Sequence, residues 1–141
     1  MATVKQFEDL DVWKKSRDLD NIIFRISNKG EFAKDFELKK QIRRSSGSIM
    51  DNIAEGFERG GKGEFIQFLG ISKGSAGEIR SQTYRASDRN YLTKSEFYDV
   101  YNRSVEISKM LQKFIFYLQN SDIKGSKYIK HNKWIKINFK L

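Results

Sequence analysis

Between Phe97 and Leu118, apolar or small side chains recur with spacings of three and four residues for three heptads. This spacing places them on one face of an α-helix. The residues in the repeat are Phe97, Val100, Ser104, Ile107, Leu111, Phe114 and Leu118. A Thr93–Glu96 capping box marks where such a helix begins. The pattern therefore predicts a long helix that ends near Gln119.

The chain has no proline in 141 residues, which favours long helices without breaks. Further helical patterns cover residues 9–27, residues 35–58 with Asp35 as N-cap, and a third segment that begins near Gly63. Short connections between such helices are typical of antiparallel neighbours. We predict an all-α, up-down-up-down antiparallel four-helix bundle over residues 1–119, followed by a lysine-rich tail over residues 120–141.

Residues 41–56, QIRRSSGSIMDNIAEG, mix an apolar stripe with small and polar side chains. The serines and glycine at 45–48 predict that the third helix approaches closely. That helix contains Gly70, Gly74 and Gly77, each of which weakens a helix by roughly 1 kcal/mol relative to alanine. We therefore expect these glycines to lie against the second helix.

Polar residues on the second and third helices predict a structural polar network rather than a catalytic site. Glu55 and Glu78 are the carboxylates that best fit an acid/base pair, but no Glu-x-x-His motif accompanies them. Because unpaired burial of a carboxylate is expensive, we expect both to have partners. The network comprises Gln41, Ser48, Asn52, Glu55, Ser75 and Glu78.

Cysteine is absent and His131 is the single histidine, which excludes disulfides, thiolate nucleophiles and multi-histidine metal sites. The residues thus predict a non-enzyme with no metal and no cofactor. The amino terminus lacks the apolar segment of a secretory signal, and no apolar run is long enough to span a bilayer. The expected location is the cytoplasm, without a membrane partner.

The formal net charge is +9, of which the tail carries +5, so an anionic partner is expected. RNA or DNA fits, and Tyr128 and Trp134 are available to stack on bases. We expect the cations of the second and third helices to form one basic surface. The candidate binding residues are Lys39, Lys40, Arg43, Arg44, Lys73, Arg80, Lys127, Lys130 and Lys133.

Three interpretations of the tail remain open on the residues alone. It is a mobile basic tail, an arm for nucleic acid, or a strand added to a neighbouring subunit. The last interpretation rests on a weak alternation of apolar and polar residues from Ile135 to Leu141.

Three ordered motifs, FEDLDVWKKS, QIRRSSGSIMDNIAEG and EFIQFLGISKGSAGEI, resemble the small proteins encoded in 23S rRNA intervening sequences. The resemblance covers about residues 7–119. It extends to the accessory variability protein of diversity-generating retroelements. It implies a four-helix bundle that assembles as a homopentameric ring with basic surfaces. The retroelement members bind nucleic acid and a reverse transcriptase.

The positions that match the resemblance are Trp13, Gln41, Arg43, Arg44, Ser48, Asn52, Glu55, Gly56, Gly74, Ser75 and Glu78. Ser72 and Gly61 depart from it, since alanine and a serine cap are more usual there. The sequence favours a non-catalytic, oligomeric nucleic-acid-binding protein. The alternative is an adaptor or scaffold for a nucleic-acid enzyme such as a reverse transcriptase.

Overall fold

Four α-helices dominate the computed structural model, which describes residues 2–121 and 135–137. They are α1 (Asp11–Ile26), α2 (Phe36–Arg59), α3 (Lys62–Asp88) and α4 (Lys94–Gln119). Each helix packs against the next one along the chain, and α1 also packs against α4, which closes the bundle. The predicted all-α four-helix architecture is confirmed.

Local signals explain where α2 and α4 begin. The Asp35 carboxylate accepts a hydrogen bond of 3.2 Å from the Leu38 amide at the start of α2. At the start of α4, the Glu96 amide donates to the Thr93 hydroxyl at 3.1 Å, and the Thr93 amide donates to the Glu96 carboxylate at 2.9 Å. The predicted capping box is therefore confirmed.

The turn between α2 and α3 consists of Gly60 and Gly61. Gly60 adopts a φ of +86°, a left-handed conformation that suits glycine at the end of a helix. Gly61 is the N-cap of α3. The Glu64 carboxylate lies beside this cap, where it also pairs with Arg59 at 3.5 Å.

Two short strands join the ends of the chain. Strand β1 (Ala2–Val4) pairs antiparallel with strand β2 (Ile135–Ile137), so that Val4 lies opposite Ile135. The Val4 side chain is buried in the hydrophobic core. The described part of the alternating segment, residues 135–137, thus forms a strand that pairs with the chain's own amino-terminal segment.

The hydrophobic core runs along the middle of the bundle. Six of the seven positions of the α4 repeat are buried and Phe97 is partly buried, which confirms the predicted inward face. Trp13 packs half-buried against the core, with its ring 5.2 Å from that of Phe7. Trp13 therefore contributes to packing at the edge of the core.

The close approach between α2 and α3 occurs at Gly56 and not at the α3 glycines. A Cβ added to Gly56 would lie 2.6 Å from the Phe68 Cβ and 3.1 Å from the Phe65 Cδ1. A Cβ added to Gly70, Gly74 or Gly77 would have no atom from another element within 4 Å. The expectation that these three glycines pack against α2 is therefore wrong, because they lie on the outward side of α3.

Asp35 also connects two parts of the chain at one end of the bundle. Its Oδ2 accepts hydrogen bonds of 2.8 Å from the Tyr91 hydroxyl and from the Arg89 guanidinium. These bonds, together with the bond from the Leu38 amide, lower the pKa of Asp35. The carboxylate therefore holds the start of α2 to the segment that follows α3.

Replacement of Gly56 by alanine should destabilise the bundle by about 1–3 kcal/mol, because the new methyl group overlaps the Phe68 Cβ. The matched control is Gly74→Ala, which should raise stability by up to about 1 kcal/mol, since its surroundings are open. Urea unfolding followed by circular dichroism measures both. Equal stability of the two variants would contradict the assigned contact.

The charge of Asp35 should stabilise the fold above about pH 4, the ordinary range of an aspartate, because its pKa is lowered in the folded state. This contribution should disappear as the pH falls through the folded pKa. Asp35→Asn keeps a side chain that caps helices but removes the charge. The gap in urea midpoint between wild type and variant should be wide at neutral pH and narrow in acid. A gap that does not change with pH would rule out this role.

Candidate nucleic-acid interface

Hydroxyl groups tie α2 to α3 along one polar seam. The Ser75 hydroxyl donates to the Ser48 hydroxyl at 2.9 Å, and the Asn52 amide also donates to Ser48 at 2.9 Å. The buried Ser72 hydroxyl donates to the Ile49 carbonyl at 2.8 Å. Small side chains let the helices approach while every one of these hydroxyls keeps a partner. The seam therefore serves assembly of the bundle.

The remaining residues of the predicted network lie elsewhere. Gln41 accepts a hydrogen bond of 2.7 Å from Arg85 of α3, which lies outside the set of residues predicted for the network. Glu55 and Glu78 are both exposed, and Glu55 pairs with Arg59 at 3.0 Å along its own helix. The expected burial of these two carboxylates is wrong, because both occupy outward positions of their helices.

Two of the four predicted cations of α2 are engaged within the bundle. The Arg43 guanidinium donates to the Ser27 hydroxyl at 2.9 Å and to the Phe24 carbonyl at 3.2 Å. It also lies 4.3 Å from the centre of the Phe24 ring, a cation–π distance. Lys39 donates to Asn28 at 3.4 Å. Arg43 thus fastens α2 to the end of α1.

The other two cations of α2 face outward. Lys40 and Arg44 are exposed, and in the described part of the chain neither forms an ion pair or a hydrogen bond through its side chain. They stand one helical turn apart on the same face. Together they present two adjacent positive charges to solvent.

Lys73 and Arg80 lie on the flank of α3 that turns towards α4. Each residue of an α-helix rotates by about 100°, which separates Lys73 from Ser75, the contact to α2. Arg80 acts electrostatically on Tyr84, whose ring contacts Phe97 of α4. Lys40 and Arg44 lie on α2, whereas Lys73 and Arg80 lie on the side of α3 that faces away from α2. The expected single basic surface of α2 and α3 is therefore wrong.

The tail residues Lys127, Lys130 and Lys133, together with Tyr128 and Trp134, lie outside the described residues. Their predicted roles in binding stay predictions. Of the tail, the structure describes the first two residues and strand β2. Lys62 donates to the Ser121 carbonyl at 3.0 Å, which joins the start of α3 to the end of α4.

An open groove of about 570 Å³ between α1 and α4 was not predicted from the sequence. Lys15, Lys109 and Lys113 line it, and Lys15 pairs with Glu106 at 3.0 Å. The spacing of Lys109 and Lys113 by one turn is the signal in the sequence. The groove itself is not predictable from that spacing, because it forms only where α1 lies beside α4.

An exposed aromatic patch between α3 and α4 was also missed. It comprises Tyr84, Phe97, Tyr98 and Tyr101. A hydrogen bond with Tyr101 raises the pKa of Tyr84 and so favours the neutral phenol. The heptad pattern assigns Phe97 to the core-facing side of α4, so the sequence provides no reason to group it with these surface tyrosines.

Among the described residues, no three His, Asp or Glu side chains come together as a metal site. Within the same part of the chain, no helix is long and apolar enough to cross a membrane.

Comparison with known proteins places residues 8–113 within the model of the 23S rRNA-intervening sequence protein family. The chain is also similar to a protein from Bacteroides thetaiotaomicron VPI-5482, described as having unknown function and as part of the S23 ribosomal protein family. The two chains are 29% identical with a TM-score of 0.68, over 74% of this chain and 97% of the other. No curated protein matches this chain.

Arg43→Ala should lower the free energy of unfolding by about 1–2 kcal/mol, because it removes two hydrogen bonds and the contact with Phe24. Arg44→Ala, the matched control, should change it by no more than about 0.5 kcal/mol, as is usual at exposed positions. Urea unfolding of both variants tests this division of roles. A neutral Arg43→Ala would show that the contacts with α1 do not contribute to stability.

Proposed function

We propose that this chain, which belongs to the 23S rRNA-intervening sequence protein family, is a non-catalytic oligomer that binds RNA or DNA through the phosphate backbone. The observation that carries the proposal is the exposed pair Lys40 and Arg44, which has no carboxylate partner among the described residues. A net charge of +9 adds long-range attraction for a polyanion.

The distribution of the other cations supports contact with phosphates at several places. Lys73 and Arg80 lie on the α4 side of α3, while Lys109 and Lys113 line the groove beside α1. Separate pairs of this kind suit a polymer that passes across more than one face. Phosphate contacts position a protein without reading sequence, so we expect little preference for base sequence.

A ring of five subunits is part of the proposal, as the family resemblance implies. Apolar side chains on the bundle surface support contacts between copies: Phe36 is 76% exposed and Phe116 is 64% exposed. A ring would also repeat each basic surface around an axis, so that one nucleic acid could engage several subunits.

The absence of catalysis is likewise a proposal. Glu55 and Glu78 are exposed on the outside of their helices, and Glu55 is paired with Arg59. Exposed carboxylates of this kind lack the water-excluded surroundings of a catalytic pocket. The seam between α2 and α3 accounts for the serines and Asn52 without a chemical role.

The exposure of Phe36 and Phe116 also favours a second candidate, an adaptor that docks a nucleic-acid enzyme. Co-purification from the native host distinguishes the two. A stoichiometric protein partner that survives nuclease treatment would favour the adaptor. Loss of all bound material after nuclease treatment would favour direct binding of nucleic acid.

The double variant Lys40→Ala/Arg44→Ala should weaken binding of a fluorescein-labelled duplex and of a structured RNA, measured by anisotropy. Each lost phosphate contact should reduce the salt-dependence slope by about 0.9 for duplex DNA. The slope should therefore fall by up to about two.

The matched control is Lys34→Ala/Arg103→Ala, which removes the same charge from residues that are paired with Glu31 and Asp99. It should bind more tightly than the first double variant and keep the wild-type slope. Equal losses of affinity in the two double variants would show that binding depends on net charge alone. Absence of binding by the wild type at low salt would overturn the proposed function.

A further inference from the structure

Four aromatic rings meet on the surface between α3 and α4. The Tyr84 ring lies 5.2 Å from that of Phe97 and 5.8 Å from that of Tyr101. Phe97 in turn lies 5.3 Å from Tyr98 and 5.7 Å from Tyr101, stacked on the latter. Each ring is thus held in place by its neighbours.

The patch is not only an extension of the hydrophobic core, because two of its rings face solvent. Tyr84 is 51% exposed and Tyr98 is 57% exposed. Tyr98 meets Phe97 in an edge-to-face arrangement, with the two ring planes at 84° to each other. An exposed, fixed aromatic face is a surface on which another flat group can stack.

Positive charge flanks the aromatic patch on both helices. Arg80 lies near Tyr84 and acts on it electrostatically, and Lys73 lies two turns away on the same side of α3. Lys94 precedes Tyr98 by one turn of α4. None of these three cations forms an ion pair with a described carboxylate. The patch therefore combines stacking surface with unneutralised charge.

We propose that the aromatic patch of Tyr84, Phe97, Tyr98 and Tyr101 stacks unpaired bases of single-stranded nucleic acid, while Arg80, Lys73 and Lys94 contact the adjoining phosphates. This inference rests on the proposed function and specifies its ligand as a strand with accessible bases. Every base has a π-face, so stacking of this kind tolerates any sequence. It is compatible with binding that is directed mainly by phosphates.

Charge complementarity favours a nucleic acid over a second copy of the chain as the occupant. Arg80, Lys73 and Lys94 have no carboxylate partner among the described residues, so they are available to an anionic ligand beside the rings. A single strand brings phosphates of the opposite sign. Tyrosine hydroxyls at the rim also remain compatible with the water that surrounds a bound strand.

The outward glycines of α3 leave space beside the patch. Gly77 lies two turns before Tyr84 on nearly the same side of the helix, and a Cβ added there would meet nothing within 4 Å. A larger side chain at this position would project from the same side of α3 as Tyr84. Because Gly77 has no side chain, a nucleic-acid strand can lie close to the α3 backbone as it approaches the rings.

The test compares a labelled uridine oligonucleotide with an abasic oligonucleotide of the same length, both titrated with the full-length protein. The variants are Tyr98→Ala, its conservative control Tyr98→Phe, and Tyr84→Ala. Wild type should bind the uridine oligonucleotide at least about five-fold more tightly than the abasic one, since stacking on one ring is worth that much. Tyr98→Ala and Tyr84→Ala should reduce this preference, while Tyr98→Phe should keep it.

The possible failures are distinguishable. If wild type binds both oligonucleotides equally and Tyr98→Ala changes neither affinity, stacking is disproved while phosphate binding stands. If wild type binds neither oligonucleotide, nor duplex, at low salt, the proposed function fails and this inference fails with it. If Tyr98→Ala lowers the mass in light scattering and leaves the preference for bases unchanged, the patch is an interface between copies and the inference is wrong.

Discussion

The contact between α2 and α3 at Gly56 is the constraint on which the rest of the bundle depends. The absence of a side chain there allows Phe65 and Phe68 to reach α2. Close helices then bring Ser48 within 2.9 Å of Ser75 and the Ile49 carbonyl within 2.8 Å of Ser72. Hydrogen bonds of this kind are available only to short side chains between closely packed backbones. The seam therefore fixes the position of α2 relative to α3.

This arrangement determines which cations are available to a partner. Because α2 turns one side to α3 and another to α1, Arg43 is used at the α1 contact and Lys40 and Arg44 remain outside. On α3, the same geometry sends Lys73 and Arg80 to the side of α4. Positive charge is thus divided among several faces. A long, flexible polyanion suits such a surface better than a compact acidic ligand.

Much of the fold is predictable from the sequence because its signals are local. The α4 heptads, the Thr93–Glu96 box and the Asp35 cap depend on residues within one or two turns of each other. The burial of Glu55 and Glu78 and the place of the α3 glycines depend on how each helix rotates about its axis. Composition does not determine that rotation, and both expectations were wrong.

The candidate site is less predictable for the same reason. Exposed lysines and arginines are visible in the sequence, but the group that engages a cation can lie on another element, as Phe24 and Ser27 do for Arg43. The aromatic patch joins Tyr84 of α3 to three residues of α4, the nearest of which lies more than ten residues further along the chain. Only the packing of α3 on α4 brings them together.

Light scattering of the full-length protein, alone and mixed with a uridine oligonucleotide at low and high salt, tests the central claim most directly. The account predicts a mass about five times the 16.6 kDa of one chain, and a nucleic-acid complex that dissociates as salt rises. A monomer that gains no mass with the oligonucleotide at low salt would contradict both the assembly and the binding.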